Sequence, residues 1–549
     1  MDLYQRRKVA SYIVEILTLL GTALIYSFAF PGFLTKGGIG VIAFFALIPL
    51  FAVIRTTSWQ ATPLYGFLFG FTFYTLFNYW LTTFHPLAIL IVPIIKGGEM
   101  ILLFPLLKAS DRWFKRYGFL VQSIIWVAYS YLSQTWFAGY PYGTISSAVY
   151  NYTPFIQIAE FSGIWLITGV MILPQALFGR YLGDWSRGVK EPLRLFIQRY
   201  RVTAVSYAVV FVAIWIFGFI SIGMWNNKQS DLTWRVATVQ HSADSWKGGY
   251  DTYKRNFNNL RTMSLQALSA QPDMIIWSET AFVPSVYWHT TYQTDEKTKD
   301  LVEEFVDFGK SLPVPLLTGN PEGVVEDETL PPLLSDGSWN RKDYNTVIMF
   351  ENGEIKETYR KQHLVPFTEH FPYEKTMPWL YRLLLANDYN WWEKGYDPVV
   401  FETDQGVRFS TPICFEDVFG YLSARFVRAG ADVIVNMTND SWSGAVSAEM
   451  QHLALAVFRS VENRKSTIRG TNSGMTALIT PTGKIVDPME PFTRGWKIYE
   501  VPTFTSNKHT IYTRYEDILA FVAVYLSVAL FLFGAVKQII HTIGKRRRG

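Results

Sequence analysis

Two rhythms of apolar and polar residues divide the chain. From the N-terminus to about Trp225, and again from about Ile518, apolar residues run on in stretches of the order of the roughly 20 residues a helix needs to cross a bilayer. Eight such stretches are predicted, over 12–30, 38–54, 62–81, 86–107, 117–132, 155–177, 202–224 and 518–540, the fifth being short and interrupted. The first is long and lacks a small-residue cleavage site, so it reads as a retained anchor. Between 226 and 516 the rhythm changes to short alternating or wholly apolar runs interleaved with helical periodicity. Strands are predicted at 233–240, 274–279, 314–319, 408–414 and 431–437, and helices at 256–268, 301–312, 420–429 and 451–463. Two hairpins turn at Asn352-Gly353 and Thr482-Gly483, the first a pair that tolerates positive φ well. This alternation predicts an α/β sandwich of layered sheet and helix. The expected organisation is therefore a membrane domain of about seven helices over 1–225, an α/β domain over 226–516, and a closing transmembrane helix with a basic tail over 517–549.

Charge adds an orientation. Arg6, Arg7 and Lys8 precede the first apolar stretch, Arg55 follows the second, and Lys108, Arg112, Lys115 and Arg116 follow the fourth. Arg180, Arg187, Lys190, Arg194, Arg199 and Arg201 follow the sixth, and Lys545, Arg546, Arg547 and Arg548 close the chain. The intervening loops are nearly free of such residues, and 133–154 has none. Basic residues stay on the cytoplasmic side, so both termini are expected there and 226–516 on the opposite face. The composition, 49% hydrophobic with 17% charged residues, follows from the apolar stretches. A net charge of +5 dispersed beside those stretches is a topology signal and excludes a nucleic-acid footprint. Inside the fourth stretch, Lys96 and Glu99 are three apart across Gly97-Gly98. Two readings stand side by side: a pair on one helix face lining a route for a polar head group, or glycines that break the segment into a shallow interfacial piece.

Candidate chemistry gathers at strand ends. Cys414 is the only cysteine, which permits no internal disulfide, and it closes the predicted strand 408–414 before a bend near Gly420. Glu279 ends another apolar strand and Lys361 ends the second arm of the first hairpin. Singly, each has a structural explanation: a core cysteine, a turn carboxylate, a solvated lysine. Together at the carboxyl ends of strands, where α/β folds build sites, they form a chemical set. A desolvated carboxylate can take the thiol proton, and an ammonium can lower the thiol pKa and stabilise an oxyanion. No metal site is expected, since the chain has no HExxH or paired CxxC motif and its histidines lack ligand spacing, and no Walker loop implies a nucleotide.

The segments WSE at 277–279, KQHLVPF at 361–367 and ICFED at 413–417 resemble the Glu, Lys and Cys motifs of the nitrilase superfamily, and the likeness extends to NMTNDSW at 436–442 and RGTNSGMTALITPTGKI at 469–485. With helical spans on both sides of the domain, nearly the whole chain resembles the membrane-embedded apolipoprotein N-acyltransferase family. The resemblance implies an αββα nitrilase-like domain on the periplasmic side of a bacterial inner membrane, carried by a multi-pass helical bundle. It implies Glu279 as general base, Cys414 as nucleophile and Lys361 as the oxyanion-stabilising cation, with Glu369 and Glu416 in support and, more loosely, Trp246 at the site entrance. It implies two-step acyl transfer through a thioester, from a membrane phospholipid to the α-amine of a diacylglyceryl-cysteine on an apolipoprotein, by a monomer without cofactor, metal or nucleic acid. Phe415 stands where the family often has tyrosine, and TEHF at 368–371 replaces its usual glycine-glutamate turn. The alternatives are a membrane-tethered amidase, in which water accepts the acyl group, and a transporter or scaffold with an inactive hydrolase domain.

Overall fold

The computed structural model describes residues 3–83, 88–136, 139–292, 295–385, 391–505 and 508–546, and divides into two compact units. One holds 1–226, 450–458 and 515–549, and the other holds 227–449 and 459–514. Pro86, Arg547 and Arg548, and the side chains of Arg6, Arg7, Lys8, Lys545 and Arg546, lie outside the described residues.

The first unit is helical. Its main elements are α1 (Leu3–Ser27), α2 (Ile48–Thr56), α3 (Thr62–Phe77), α4 (Ala88–Trp113), α5 (Gly118–Thr135), α6 (Ile164–Ser186), α7 (Arg201–Asn226) and, after the second unit, the closing helix Ile518–Arg546. Five are long and apolar enough to cross a membrane: those containing Ala10–Ser27, Ile89–Trp113, Ile164–Ser186, Arg201–Asn226 and Ile518–Ile543. The chain is a membrane protein. The expected sixth span begins too early. Over 155–163 the chain makes two single helical turns and then reaches Gly163, whose φ of 61° ends helical geometry, and the long helix starts at Ile164.

Small residues let α3 and α4 approach backbone to backbone. A Cβ on Gly66 would lie 2.1 Å from the Met100 carbonyl oxygen, and one on Gly97 would meet Phe67 at 3.0 Å. This is the close packing that membrane helices use in place of a hydrophobic drive between them. Helix α4 runs unbroken through Gly97-Gly98, so the fourth stretch is a full span rather than an interfacial piece. Lys96 is fully buried and its Nζ donates to Glu99 Oε2 (3.0 Å), the Ser133 carbonyl (3.3 Å), Ser133 Oγ and the Tyr140 carbonyl (3.2 Å). Ser133 Oγ in turn donates to Glu99 at 2.8 Å. The pair is thus matched by donors and acceptors of its own bundle, which is what tolerable burial of an ion pair requires.

The second unit is a sandwich of two sheets. Its strands are β1 (Leu232–Gln240), β2 (Met274–Ile276), β3 (Leu316–Val325), β4 (Arg341–Glu351), β5 (Glu354–Arg360), β6 (Trp392–Glu393), β7 (Phe401–Glu402), β8 (Arg408–Ser410), β9 (Val433–Thr438), β10 (Ser466–Thr471), β11 (Ala477–Ile479), β12 (Ile485–Val486) and β13 (Gly495–Thr503). One sheet has the order β13-β1-β2-β3-β4-β5, with β6 beside β4, and the other β12-β11-β10-β9-β8-β7. The centres, β1-β2-β3 and β8-β9-β10, are parallel. Both faces of these centres are covered: every residue of β9, VIVNMT, and of β10, STIRGT, is buried.

The sheets face each other, with Trp234 of β1 stacked near Phe409 of β8 (5.3 Å between rings) and Gly470 of β10 leaving room for Ile276 of β2. Helices Tyr250–Ala267 and Glu296–Ser311 cover the first sheet, burying Phe257, Leu260, Leu301, Val302 and Phe305 against Ile275, Trp277, Leu316 and Phe350. The second starts where Asp295 accepts from the Thr298 amide at 2.9 Å, an N-cap that satisfies an otherwise orphan donor. The end of helix Val446–Asn463 meets the second sheet, where Ser460 Oγ donates to Thr467 Oγ1 of β10 at 2.7 Å. The layering is helix, sheet, sheet, helix, as the sequence pattern and the resemblance imply. At the first hairpin, Asn352 (φ 52°) and Gly353 (φ 80°) make the tight turn that hands β4 to β5.

Candidate active site

Four strands of the sandwich end at one place. β2 delivers Glu279, β5 delivers Lys361, β8 leads to Cys414 and β9 leads to Asn439. The expected strand 408–414 is shorter than its sequence suggests, with ladder pairing only over Arg408–Ser410, because Pro412 cannot donate and Cys414 opens a 3-10 turn, Cys414–Val418. Cys414 itself has φ 49°. A non-glycine residue held there costs about 1–2 kcal/mol, and the surroundings hold it. Asn436 Nδ2 donates to the Cys414 carbonyl (3.2 Å) and the Pro412 carbonyl (3.1 Å), and Ile413 bridges Met437 of β9.

Glu416 is the hub of that turn. Its fully buried carboxylate accepts from the Ile413 amide (2.7 Å), the Gln362 amide (2.6 Å), the His363 amide (2.8 Å) and the Tyr359 hydroxyl (2.8 Å). It therefore clamps the cysteine turn to the segment that follows Lys361. Burial pushes its carboxyl up to about 7, while the Ile413 and His363 amides and the Lys361 charge oppose the rise.

Glu279, Lys361 and Cys414 meet in a site closed to solvent, with exposures of 5%, 0% and 7%. Glu279 Oε1 accepts from Asn345 Nδ2 at 2.8 Å and from Lys361 Nζ at 3.4 Å, and Oε2 accepts from the Asn439 amide at 2.9 Å. The Cys414 thiol is close enough to the same carboxylate for the two to shift each other's ionisation. Lys361 Nζ also donates to Glu369 Oε1 at 2.8 Å, and Glu369 Oε2 accepts from the Val365 amide at 2.9 Å, which closes the loop after β5 over the lysine.

The electrostatics fit a neutral thiol beside an ionisable base. Burial pushes the Cys414 thiol well above its ordinary value, the Glu279 charge adds to this, and Lys361 opposes it. Burial also raises Glu279, against the pull of Lys361. For Lys361 burial favours the neutral amine, but Glu369, Glu279 and Cys414 outweigh it and hold the ammonium well above the ordinary lysine value. Such a set can carry a proton from sulfur to carboxylate and leave a fixed cation beside the new charge.

Of the other expected residues, Glu369 and Glu416 touch this site directly, as above. Trp246 is 66% exposed, on a loop whose neighbour Ser245 donates to Asn439 Oδ1 at 3.0 Å. Asn345 and Asn439 were not expected. Asn345 had a faint signal, an amide opening the otherwise apolar run NTVIMF. Asn439 contributes only its backbone N–H, which no side-chain pattern reveals.

Comparison with known proteins agrees along the whole chain. The carbon-nitrogen hydrolase family model matches residues 235–505, and the apolipoprotein N-acyltransferase N-terminal domain model matches 22–177. A protein of Treponema denticola named apolipoprotein N-acyltransferase 1 is 35% identical over 531 residues, covering 94% of this chain and 95% of its own. Its Treponema pallidum namesake is 33% identical over 544 residues, covering 97% of each, and an apolipoprotein N-acyltransferase of Borreliella burgdorferi is 27% identical, covering 94% of each. A membrane-spanning helical unit, a carbon-nitrogen hydrolase sandwich and full-length similarity of this degree make the chain an acyl-transferring membrane enzyme that belongs to the apolipoprotein N-acyltransferase family.

Proposed function

We propose that the chain acylates lipoproteins in two steps through a thioester on Cys414. In the first, Glu279 takes the thiol proton as sulfur attacks the ester carbonyl of a membrane phospholipid. Lys361 stabilises the oxyanion of the tetrahedral intermediate. Its collapse breaks the ester bond, and the proton held by Glu279 goes to the departing lysophospholipid oxygen. In the second, the α-amine of a diacylglyceryl-cysteine attacks the thioester carbonyl, Glu279 accepts the amine proton, and the Cys414 sulfur leaves and is reprotonated. Splitting the transfer in this way replaces one difficult step by two easier ones.

The observation that carries this reading is Cys414, on a strained turn, buried together with Glu279 and the fully buried Lys361, whose Nζ lies 3.4 Å from the Glu279 carboxylate. Glu369 would hold Lys361, Glu416 the cysteine turn, and Trp246 would meet substrate at the entrance. The alternation of basic flanks supports an inner-membrane protein with cytoplasmic termini and a periplasmic sandwich. Both substrates then reach the site by diffusion in the plane of the membrane, as a monomer would require.

The test is intact mass of the detergent-purified protein after exposure to phospholipid, beside Cys414→Ala. The expected result is a gain of one acyl chain, absent from the variant, released by hydroxylamine and discharged onto a diacylated lipopeptide amine. Discharge to water alone would favour the amidase reading, and no adduct on folded protein would overturn acyl transfer at its first step.

A further inference from the structure

Behind the thiol and the carboxylate lies a second buried charge cluster that the chemistry above does not use. Arg469 sits in the middle of β10, fully buried. One side of its guanidinium pairs with Asp417, within the cysteine turn, and Nη2 lies 3.8 Å from Asp440 Oδ2. Asp440 follows Asn439, whose amide donates to Glu279. Arg469 therefore stands between the turn that carries the nucleophile and the loop that holds the base.

Further contacts brace the same loop. Asn472 Nδ2 donates to Asn439 Oδ1 at 2.9 Å, and the Asn472 amide donates to the Thr438 carbonyl at 3.0 Å. Glu449, fully buried at the start of helix Val446–Asn463, accepts from Ser443 Oγ at 2.9 Å through Oε1, while Oε2 faces no donor. Gly474 leaves the space for this pair of acids: a Cβ there would lie 2.5 Å from Glu449 Oε2 and 2.8 Å from Asp440 Oδ2. Three carboxylates around one guanidinium cannot all ionise away from water. Burial first, and the Asp440 charge second, hold the Glu449 proton on. Glu449 thus packs beside Asp440, the acid whose Oδ2 faces Arg469.

We infer that Arg469 is a positioning residue for acyl transfer: by bridging Asp417 and Asp440 it sets the separation of the Cys414 sulfur from the Glu279 carboxylate. The inference rests on the roles proposed above for those two residues. A displacement of about 1 Å in a reacting pair costs about 100-fold in rate, and the bridge spans that pair without touching substrate.

The experiment is single-turnover acylation of Cys414 by phospholipid, read by intact mass, in Arg469→Met, Asp440→Asn, Gly474→Ala and Glu449→Gln. Arg469→Met is expected to acylate about 100-fold more slowly, with the lipid concentration for half-maximal rate within about 2-fold of wild type, as for loss of an interaction that matters only in the transition state. Glu449→Gln, a neutral near-isostere, is expected to stay within about 3-fold, whereas Gly474→Ala, which wedges the acids apart, loses about 10-fold or more. Should Arg469→Met not fold, the nearly isosteric Asp440→Asn decides: a folded variant at wild-type rate overturns the inference, and a loss of about 10-fold or more with unchanged half-saturation supports it. A folded Arg469→Met within about 3-fold of wild type also overturns it. Alkylation of Cys414 by iodoacetamide in the same preparations needs the thiol and base but no lipid. Wild-type protein that alkylates readily yet takes no acyl chain overturns the acyl-transfer reading alone, and the Arg469 variants are then judged by their alkylation rates.

Discussion

Replacing Lys361 by methionine is the most searching perturbation of the site. The side-chain volume is nearly kept, but the ammonium that lies 3.4 Å from Glu279 and 2.8 Å from Glu369 is gone. At an effective dielectric constant of about 20, a charge pair at that longer distance is worth about 5 kcal/mol, and breaking a buried pair costs about 3–5 kcal/mol. Losing that charge raises the orphaned carboxyl further. Glu279 is already raised by burial, and Lys361 is the charge that opposes this. In Lys361→Met the base therefore holds its proton more tightly than in wild type. Loss of the oxyanion cation removes a further factor of about 100–1000. Single-turnover acylation at pH 7 should fall by at least about 1000-fold on these two effects together. Iodoacetamide alkylation of Cys414 separates them. It should recover as pH is raised and Glu279 regains its charge, while acyl transfer stays low because the oxyanion still has no cation. A folded variant that acylates within tenfold of wild type (~10-fold), or whose alkylation profile does not move, refutes the reasoning.

Three further outcomes follow from particular contacts. Glu416 holds its proton more tightly folded (about 7) than its ordinary value of 4.5, so between those two pH values the folded state binds more protons and stability declines as pH rises. The melting temperature of wild type relative to Glu416→Gln should therefore fall across that window, and parallel curves would contradict it. In Gly319→Ala the new Cβ lies 2.3 Å from the Thr280 amide nitrogen and 2.7 Å from Glu279 Cα, backbone that must shift and carry the base with it. Acylation should drop about 100-fold, and a wild-type rate with retained fold would show that the base position is not so constrained. In the helical unit, Lys96→Met leaves the partly buried Glu99 without its cation and should cost up to about 3–5 kcal/mol. The melting temperature in detergent should be largely restored by adding Glu99→Gln, and additive losses in the double variant would rule out the coupling.

Local pattern by itself determined much of this protein. The length of apolar runs marked the five long apolar helices, although the expected stretch 38–54 holds only a 3-10 turn and the short helix Ile48–Thr56, and alternating or wholly apolar runs bounded by turn residues marked β1, β3, β9 and the β4–β5 hairpin. These signals are local because a helix in lipid must satisfy its own backbone groups, and a strand buried on both faces is mostly apolar. Glu279, Lys361 and Cys414 stood out as candidates because each is a reactive group placed where a predicted strand stops, and the structure brings them into one buried cluster. Other features were decided only by the tertiary structure. The sixth span starts at Ile164 because Gly163 adopts a positive φ, whereas the apolar run continues past it. Lys96 and Glu99 could have marked a break in the fourth span, and only the neighbouring Ser133 and Tyr140 show why the pair is tolerated. Asn345, the Asn439 amide and Arg469 reach the site from strands far apart in the chain. Their roles depend on which strands lie side by side, and hydrogen bonds and charge pairs act over a few ångströms of space whatever the sequence separation.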